Sequence, residues 1–193
     1  MKKKATEDLI KETTLELLQT HSIIEISVRM ISTACDISTN TFYYYYKDKN
    51  DVVSSIYLNR MKKYLNVSLI DWYESIVEFI KSDIKFFKNT MCYNEQNCLA
   101  DTMIDLDRKK LASHIKPEVL EDENRLNKMK MGMEYLLHGS VGFISYALNN
   151  DDANAMINIW YAEDIKTWDY LISCFPPNVM DCLSANPTNS VTL

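Results

Sequence analysis

Ser38-Thr39-Asn40-Thr41-Phe42-Tyr43-Tyr44-Tyr45-Tyr46-Lys47-Asp48-Lys49 is the stretch on which the reading of the fold turns. Four consecutive tyrosines follow a phenylalanine, and lysines close the run. A solvated surface helix has little reason to carry so many rings. A core helix has little reason to carry so many phenol hydroxyls, each of which needs a partner once buried. Both facts are met by a short two-sided helix. At helical spacing, Phe42, Tyr45 and Tyr46 fall towards one side, and Thr39, Asn40, Tyr43, Tyr44 and Lys47 fall on the other. The first set suits packing; the second suits a polar, anionic surface such as duplex DNA.

Working outward, Ser38 is a candidate cap for this helix and Asp48 for the next, with Asp51 in the first turn. Upstream, Ser27 is a candidate cap for a helix of about eight residues, with Val28, Ile31 and Cys35 inward and Arg29 and Thr33 outward. Asp36-Ile37 makes a brief turn between the two. Two short helices joined by such a turn, with an apolar residue tucked under both, have helix-turn-helix spacing. Before them, Thr6 can cap a helix carrying Leu9, Ile10, Thr13, Thr14, Leu17 and Leu18, expected to end near His21. Lys2 to Lys4 form a basic arm. Lys49 stands at a helix N-terminus, where a cation is unfavourable unless it meets an anion such as phosphate.

The run from Ser27 to Val52 resembles the DNA-binding signature of the TetR/AcrR family of bacterial transcription regulators, most closely over Thr41-Phe42-Tyr43-Tyr44-Tyr45-Tyr46-Lys47-Asp48-Lys49. The resemblance covers about the first quarter of the chain. Two residues depart from the family pattern: Asp36 stands where a turn glycine is usual, and Asn40 where glycine is frequent. Asp tolerates the left-handed conformation better than most residues. The resemblance implies an all-α fold of about nine helices, with an N-terminal three-helix head joined by a long helix to a helical body. The expected organisation is a DNA-binding domain at 1–50, a ligand-binding and dimerisation domain at 51–176, and a loose tail at 177–193.

Composition agrees with that fold class. Among 193 residues there are three glycines and four prolines, few breakers for a chain that is 47% hydrophobic. The net charge of −6 arises outside the head, since residues 1–49 carry seven basic and seven acidic side chains. Five cysteines without metal-ligand spacing, and no apolar leader, predict reduced thiols in a cytoplasmic protein. No run long enough to span a membrane is present. His21, His114 and His138 are scattered, and neither a phosphate-binding glycine loop nor a nucleophile elbow occurs. Nothing supports an enzyme, and no cofactor is implied.

Downstream, Val52 to Leu65 reads as the connecting helix. Asp71-Trp72-Tyr73-Glu74 reads as a capping-box start. Residues 122–149 and 152–175 read as two long closing helices, the last stopped by Pro176-Pro177. In the resembling family these two helices form the dimer interface, which here implicates Gly139, Gly142, Trp160 and Trp168. Each glycine costs about 1 kcal/mol in a helix relative to alanine, a cost offset where another helix approaches closely.

The functional expectation is a DNA-binding regulator that occupies a palindromic operator as a homodimer, acts as a repressor, and is released by a small-molecule effector. Thr39, Asn40, Tyr43 and Tyr44 would reach base edges or adjacent phosphates; Arg29, Thr41, Lys47 and Lys49 would meet phosphates. The family pattern supports Tyr43, Tyr44 and Lys49. An apolar or aromatic effector would meet Phe79, Phe86, Met103, Met131, Tyr135 and His138, although an ordinary packed core explains the same composition. The alternative is a co-activator or adaptor with this fold whose body docks a partner protein.

Overall fold

The computed structural model describes residues 2–91, 98–113 and 123–173. Among the described residues the chain is all-α, with no strand. The helices are α1 (Lys2–Leu17), α2 (Val28–Ala34), α3 (Thr39–Tyr45), α4 (Lys49–Met61), α5 (Leu69–Ser82), α6 (Ile84–Thr90), α7 (Leu99–Ala112), α8 (Glu123–Leu148) and α9 (Ala153–Ser173), with a 3-10 turn at Lys62–Tyr64. The expected tail at 177–193 lies outside the described residues.

The chain forms two compact units. The first comprises Met1–Arg60 and Asp83–Thr102, the second Met61–Ser82 and Met103–Leu193. The head is thus one part of a larger unit, which runs beyond residue 50 and takes in α6. α1 stops at Leu17, earlier than its apolar pattern suggests. The backbone tightens there into three-residue turns, Gln19 N donating to Glu16 O and Thr20 N to Leu17 O. Asn89 on α6 secures the chain that follows. Its side-chain amide donates to Leu18 O at 2.7 Å, and its carbonyl accepts from Ile23 N at 2.7 Å. The buried Tyr57 of α4 meets Phe87 of α6 edge to face, with ring centres 6.4 Å apart.

In the second unit, α5 buries Leu69, Trp72, Tyr73, Ile76, Val77, Phe79 and Ile80, a broad apolar stripe at helical spacing. It starts at Leu69, two residues before Asp71. Ser68 Oγ accepts from Asp71 N at 3.1 Å and lies 2.8 Å from the Asp71 carboxylate, so Ser68 caps the helix and Asp71 fills the acidic position. Arg108 of α7 grips Glu134 of α8 with two parallel bonds, 2.5 and 2.8 Å. Ser140 Oγ of α8 donates to the Asp164 carboxylate of α9 at 2.8 Å.

Two charged groups lie inside this unit. The Asp107 carboxylate accepts from Trp72 Nε1 at 2.8 Å. Lys110, only 1% exposed, donates to the carbonyl of Leu65 at 2.9 Å and to that of Val67. Its ammonium sits 5.6 Å from the centre of the Trp72 ring. Burial, with a smaller push from Asp164, raises the Asp107 carboxyl to about 7, against the lowering effect of the Trp72 bond. Burial lowers the Lys110 ammonium to about 8.

These shifts have opposite windows. The folded chain holds the Asp107 proton up to about pH 7, where the unfolded chain has lost it. Stability from this site is therefore full at low pH and declines as pH rises towards 7. Asp107→Asn keeps an acceptor for Trp72 and removes the charge. Thermal melts are expected to show the variant gaining at least about 1 kcal/mol over the parent at pH 8, with little difference at pH 4.

Candidate nucleic-acid interface

α2 and α3 are built by local chemistry. Ser27 Oγ accepts from Met30 N at 3.2 Å and starts α2; Ser38 Oγ accepts from Thr41 N at 3.0 Å and starts α3. Between them, Asp36 adopts φ 53°, the one positive-φ non-glycine among the described residues. Asp36 N donates to Thr33 O at 3.1 Å and Ile37 N to Ser32 O at 3.0 Å, the paired bonds of a Schellman helix end. A short aspartate occupies the left-handed position normally suited to glycine, as its chemistry permits. With α1 packed on α2 and α2 on α3, the arrangement is a helix-turn-helix.

The rotation of α3 is set by its apolar side. Phe42 is fully buried and Tyr46 nearly so, while Tyr45 is half-buried. Tyr43 is 57% exposed and Tyr44 69%. Thr39, Asn40 and Lys47 are exposed with them, Thr41 is intermediate, and Arg29 is exposed on α2. Apart from half-buried Thr41, this polar set read from the sequence is therefore exposed to solvent.

These side chains differ in how far they are already engaged. Thr41 Oγ1 is 2.9 Å from Ser38 Oγ, within the helix cap. Lys49 Nζ donates to Ile23 O at 2.7 Å and reaches Ile24 O at 3.5 Å. The ammonium expected to meet a phosphate thus ties the start of α4 to the segment between α1 and α2. Asp48 supplies the cap instead, its carboxylate accepting from Asp51 N at 2.8 Å. Among the described residues, none hydrogen-bonds the side chains of Arg29, Asn40 or Lys47. Asn89, which fixes the segment that Lys49 holds, was not singled out from the sequence. Its partners lie some seventy positions away, and no local pattern marks them.

The residues read as effector contacts are dispersed. Phe79 and Met103 are packed in the core of the second unit, and Phe86 in the core of the first. Met131 and Tyr135 are 71% and 80% exposed on α8, and His138 is exposed beside Glu134, 3.6 Å away. Of the residues read as a dimer face, Trp160 is buried, Gly142 is half-buried and Gly139 is exposed; the Trp168 side chain lies outside the described residues. A Cβ placed on Gly139 would meet nothing within 4 Å. Among the described residues, no close helix approach therefore accounts for that glycine. A groove of 260 Å³ runs between α8 and α9 at this point, lined among others by Tyr135, Gly139, Phe143, Trp160 and Asp164.

No protein-family model matches the chain, and no curated protein matches its sequence. Among solved structures, the chain is similar to the dihydroxyacetone kinase operon activator DhaS, at 14% identity and a TM-score of 0.47, over 88% of this chain and 95% of that one. It is likewise similar to a protein from Shewanella sp. PV-4 assigned to the TetR family of transcription regulators, at 14% identity and a TM-score of 0.45, over 88% of this chain and 97% of that one.

Lys49→Met is expected to lower the stability of the head by about 1.5 kcal/mol, because the Ile23 carbonyl loses a charged donor. A melting temperature equal to the parent's would show that the ammonium has no structural role. Asp36→Gly is expected to leave stability within about 1 kcal/mol, since glycine relieves the left-handed strain but is more flexible when unfolded. Urea titrations of the two variants check both expectations.

Proposed function

We propose that this chain is a DNA-binding transcription regulator of the TetR type. The observation that carries the reading is the two-sidedness of α3: buried Phe42 and Tyr46 lock its rotation, and Thr39, Asn40, Tyr43 and Tyr44 are left in solvent on the second helix of a helix-turn-helix, with Lys47 exposed just beyond its end. In such motifs the second helix enters the major groove, and flanking cations contact the phosphates. Arg29 and Lys47 are suited to the phosphate role. Lys49 contributes chiefly by positioning, since its ammonium already holds backbone carbonyls. The acidic balance of the rest of the chain leaves the head as the surface for DNA.

The reading includes a homodimer on a two-fold operator. Support comes from the exposed apolar side chains of α8 and α9, Met131, Tyr135, Tyr146 and Ile159. Beside them lie the open space over Gly139 and the groove between the two helices. An isologous interface uses the same patch on both subunits, and a second copy would cover this one. Repression by operator occupancy, relieved by a small-molecule effector bound in the second unit, completes the proposal. The effector step is supported by the family resemblance of residues 27–52. Among the described residues no helix is long and apolar enough to cross a membrane.

Binding to a selected operator is expected to weaken as salt rises, with log K falling by about 0.9 per phosphate contact for each unit of log salt. Arg29→Ala is expected to reduce that slope by about 2 in a dimer, one contact per subunit. Tyr43→Ala is expected to weaken binding about tenfold with an unchanged melting temperature. Affinity measured across a salt series checks all three; a flat salt response would remove the phosphate assignments. Sedimentation equilibrium is expected to give twice the 22.5 kDa chain mass, and Tyr135→Glu to shift the population towards monomer.

A further inference from the structure

Asn40 occupies an unusual position for an asparagine. It stands in the first turn of α3, one residue beyond Thr39. Asparagine is a poor helix former, and near a helix start it normally contributes by capping or by bonding nearby backbone. Neither contribution is made here. Ser38 already caps the helix, accepting from Thr41 N at 3.0 Å. The Asn40 side chain is exposed, and among the described residues nothing hydrogen-bonds its amide. A planar group with one acceptor and two donors is thus held at the N-terminal end of the helix that the helix-turn-helix directs into the groove.

The amide's chemistry selects its partner. In the major groove adenine presents an acceptor, N7, beside a donor, the N6 amino group. Guanine presents two acceptors, cytosine one donor, and thymine an acceptor beside a methyl. Only adenine offers a complementary pair to one carboxamide plane. The neighbouring candidates cannot make this distinction. Arg29 and Lys47 carry donors alone, and the Thr41 hydroxyl is engaged with Ser38. Thr39, exposed beside Asn40, brings a methyl suited to a thymine methyl.

We propose that Asn40 is the adenine-reading residue of this protein, so that each operator half-site contains one A·T pair recognised by its carboxamide. The inference rests on the DNA-binding reading of α3 and adds the base it specifies. Selection of bound sequences from a pool of random duplex DNA, with the full chain and with Asn40→Ala, tests it. Alanine is the better helix former, so the variant is expected to fold, and a thermal melt matching the parent's checks this. The parent is expected to enrich a symmetric motif with one strongly preferred A·T pair in each half. Asn40→Ala is expected to lose about ten- to a hundredfold of the preference at that pair alone, with the rest of the motif retained. A motif lacking that pair, or one unchanged in the variant, overturns the assignment of Asn40 and leaves the DNA-binding reading standing. Failure of the parent to enrich any motif, together with no salt-dependent binding to duplex DNA, overturns both.

Discussion

Burial of Phe42 is the constraint on which the head depends. A helix of only seven residues has too few backbone bonds to hold itself in water. α3 exists because Phe42, with Tyr46, is packed beneath it, and because Ser38 satisfies its first turn. One buried ring per turn also fixes the rotation of so short a helix. Once Phe42 points inward, the helical period leaves Tyr43, Tyr44, Thr39 and Asn40 no place but the solvent side. The exposed polar side of α3 is therefore a consequence of core packing. The same logic extends to the turn before α3, where Asp36 takes the left-handed conformation that lets Ile37 close the end of α2.

The second unit handles polarity differently. Its core contains Asp107 and Lys110, both of which shed solvent. Each meets a group of fixed direction: an indole N–H for the carboxylate, and two backbone carbonyls for the ammonium. Such arrangements stabilise little relative to apolar packing, because desolvation offsets the bonds gained. They do penalise alternatives, since any other packing would leave a buried charge unmatched. Lys110 in particular holds Leu65 and Val67, in the turn that leads into α5, at one spacing from α7.

How much of this was legible in the sequence follows the range of the interactions. Ser27, Ser38 and Asp48 were readable as caps because a cap bonds an amide two or three residues away. Asp36 was readable as a left-handed turn residue for the same reason. The division of the aromatic run into buried and exposed sides followed from helical period alone. The bond from Lys49 to Ile23 is not legible, since the partner carbonyl is 26 residues distant and nothing beside the lysine points there. Asp71 reads as a cap because Glu74, three residues on, mimics a capping box, while Ser68, one turn earlier, bonds the amide. Met131 and Tyr135 were read with the buried Met103 and Phe79 because composition does not distinguish an inward face from an outward one. Both are exposed on α8.

The most direct test of the account is amide chemical-shift mapping of the isotopically labelled chain titrated with duplex DNA at low salt. It needs no knowledge of the operator, because non-specific affinity of about 10⁻⁴ to 10⁻⁶ M is within its range. The account requires the largest changes at Arg29 and at Thr39, Asn40, Tyr43, Tyr44 and Lys47, and their loss when salt is raised. Unchanged signals from these residues, or changes concentrated in α8 and α9, would contradict it.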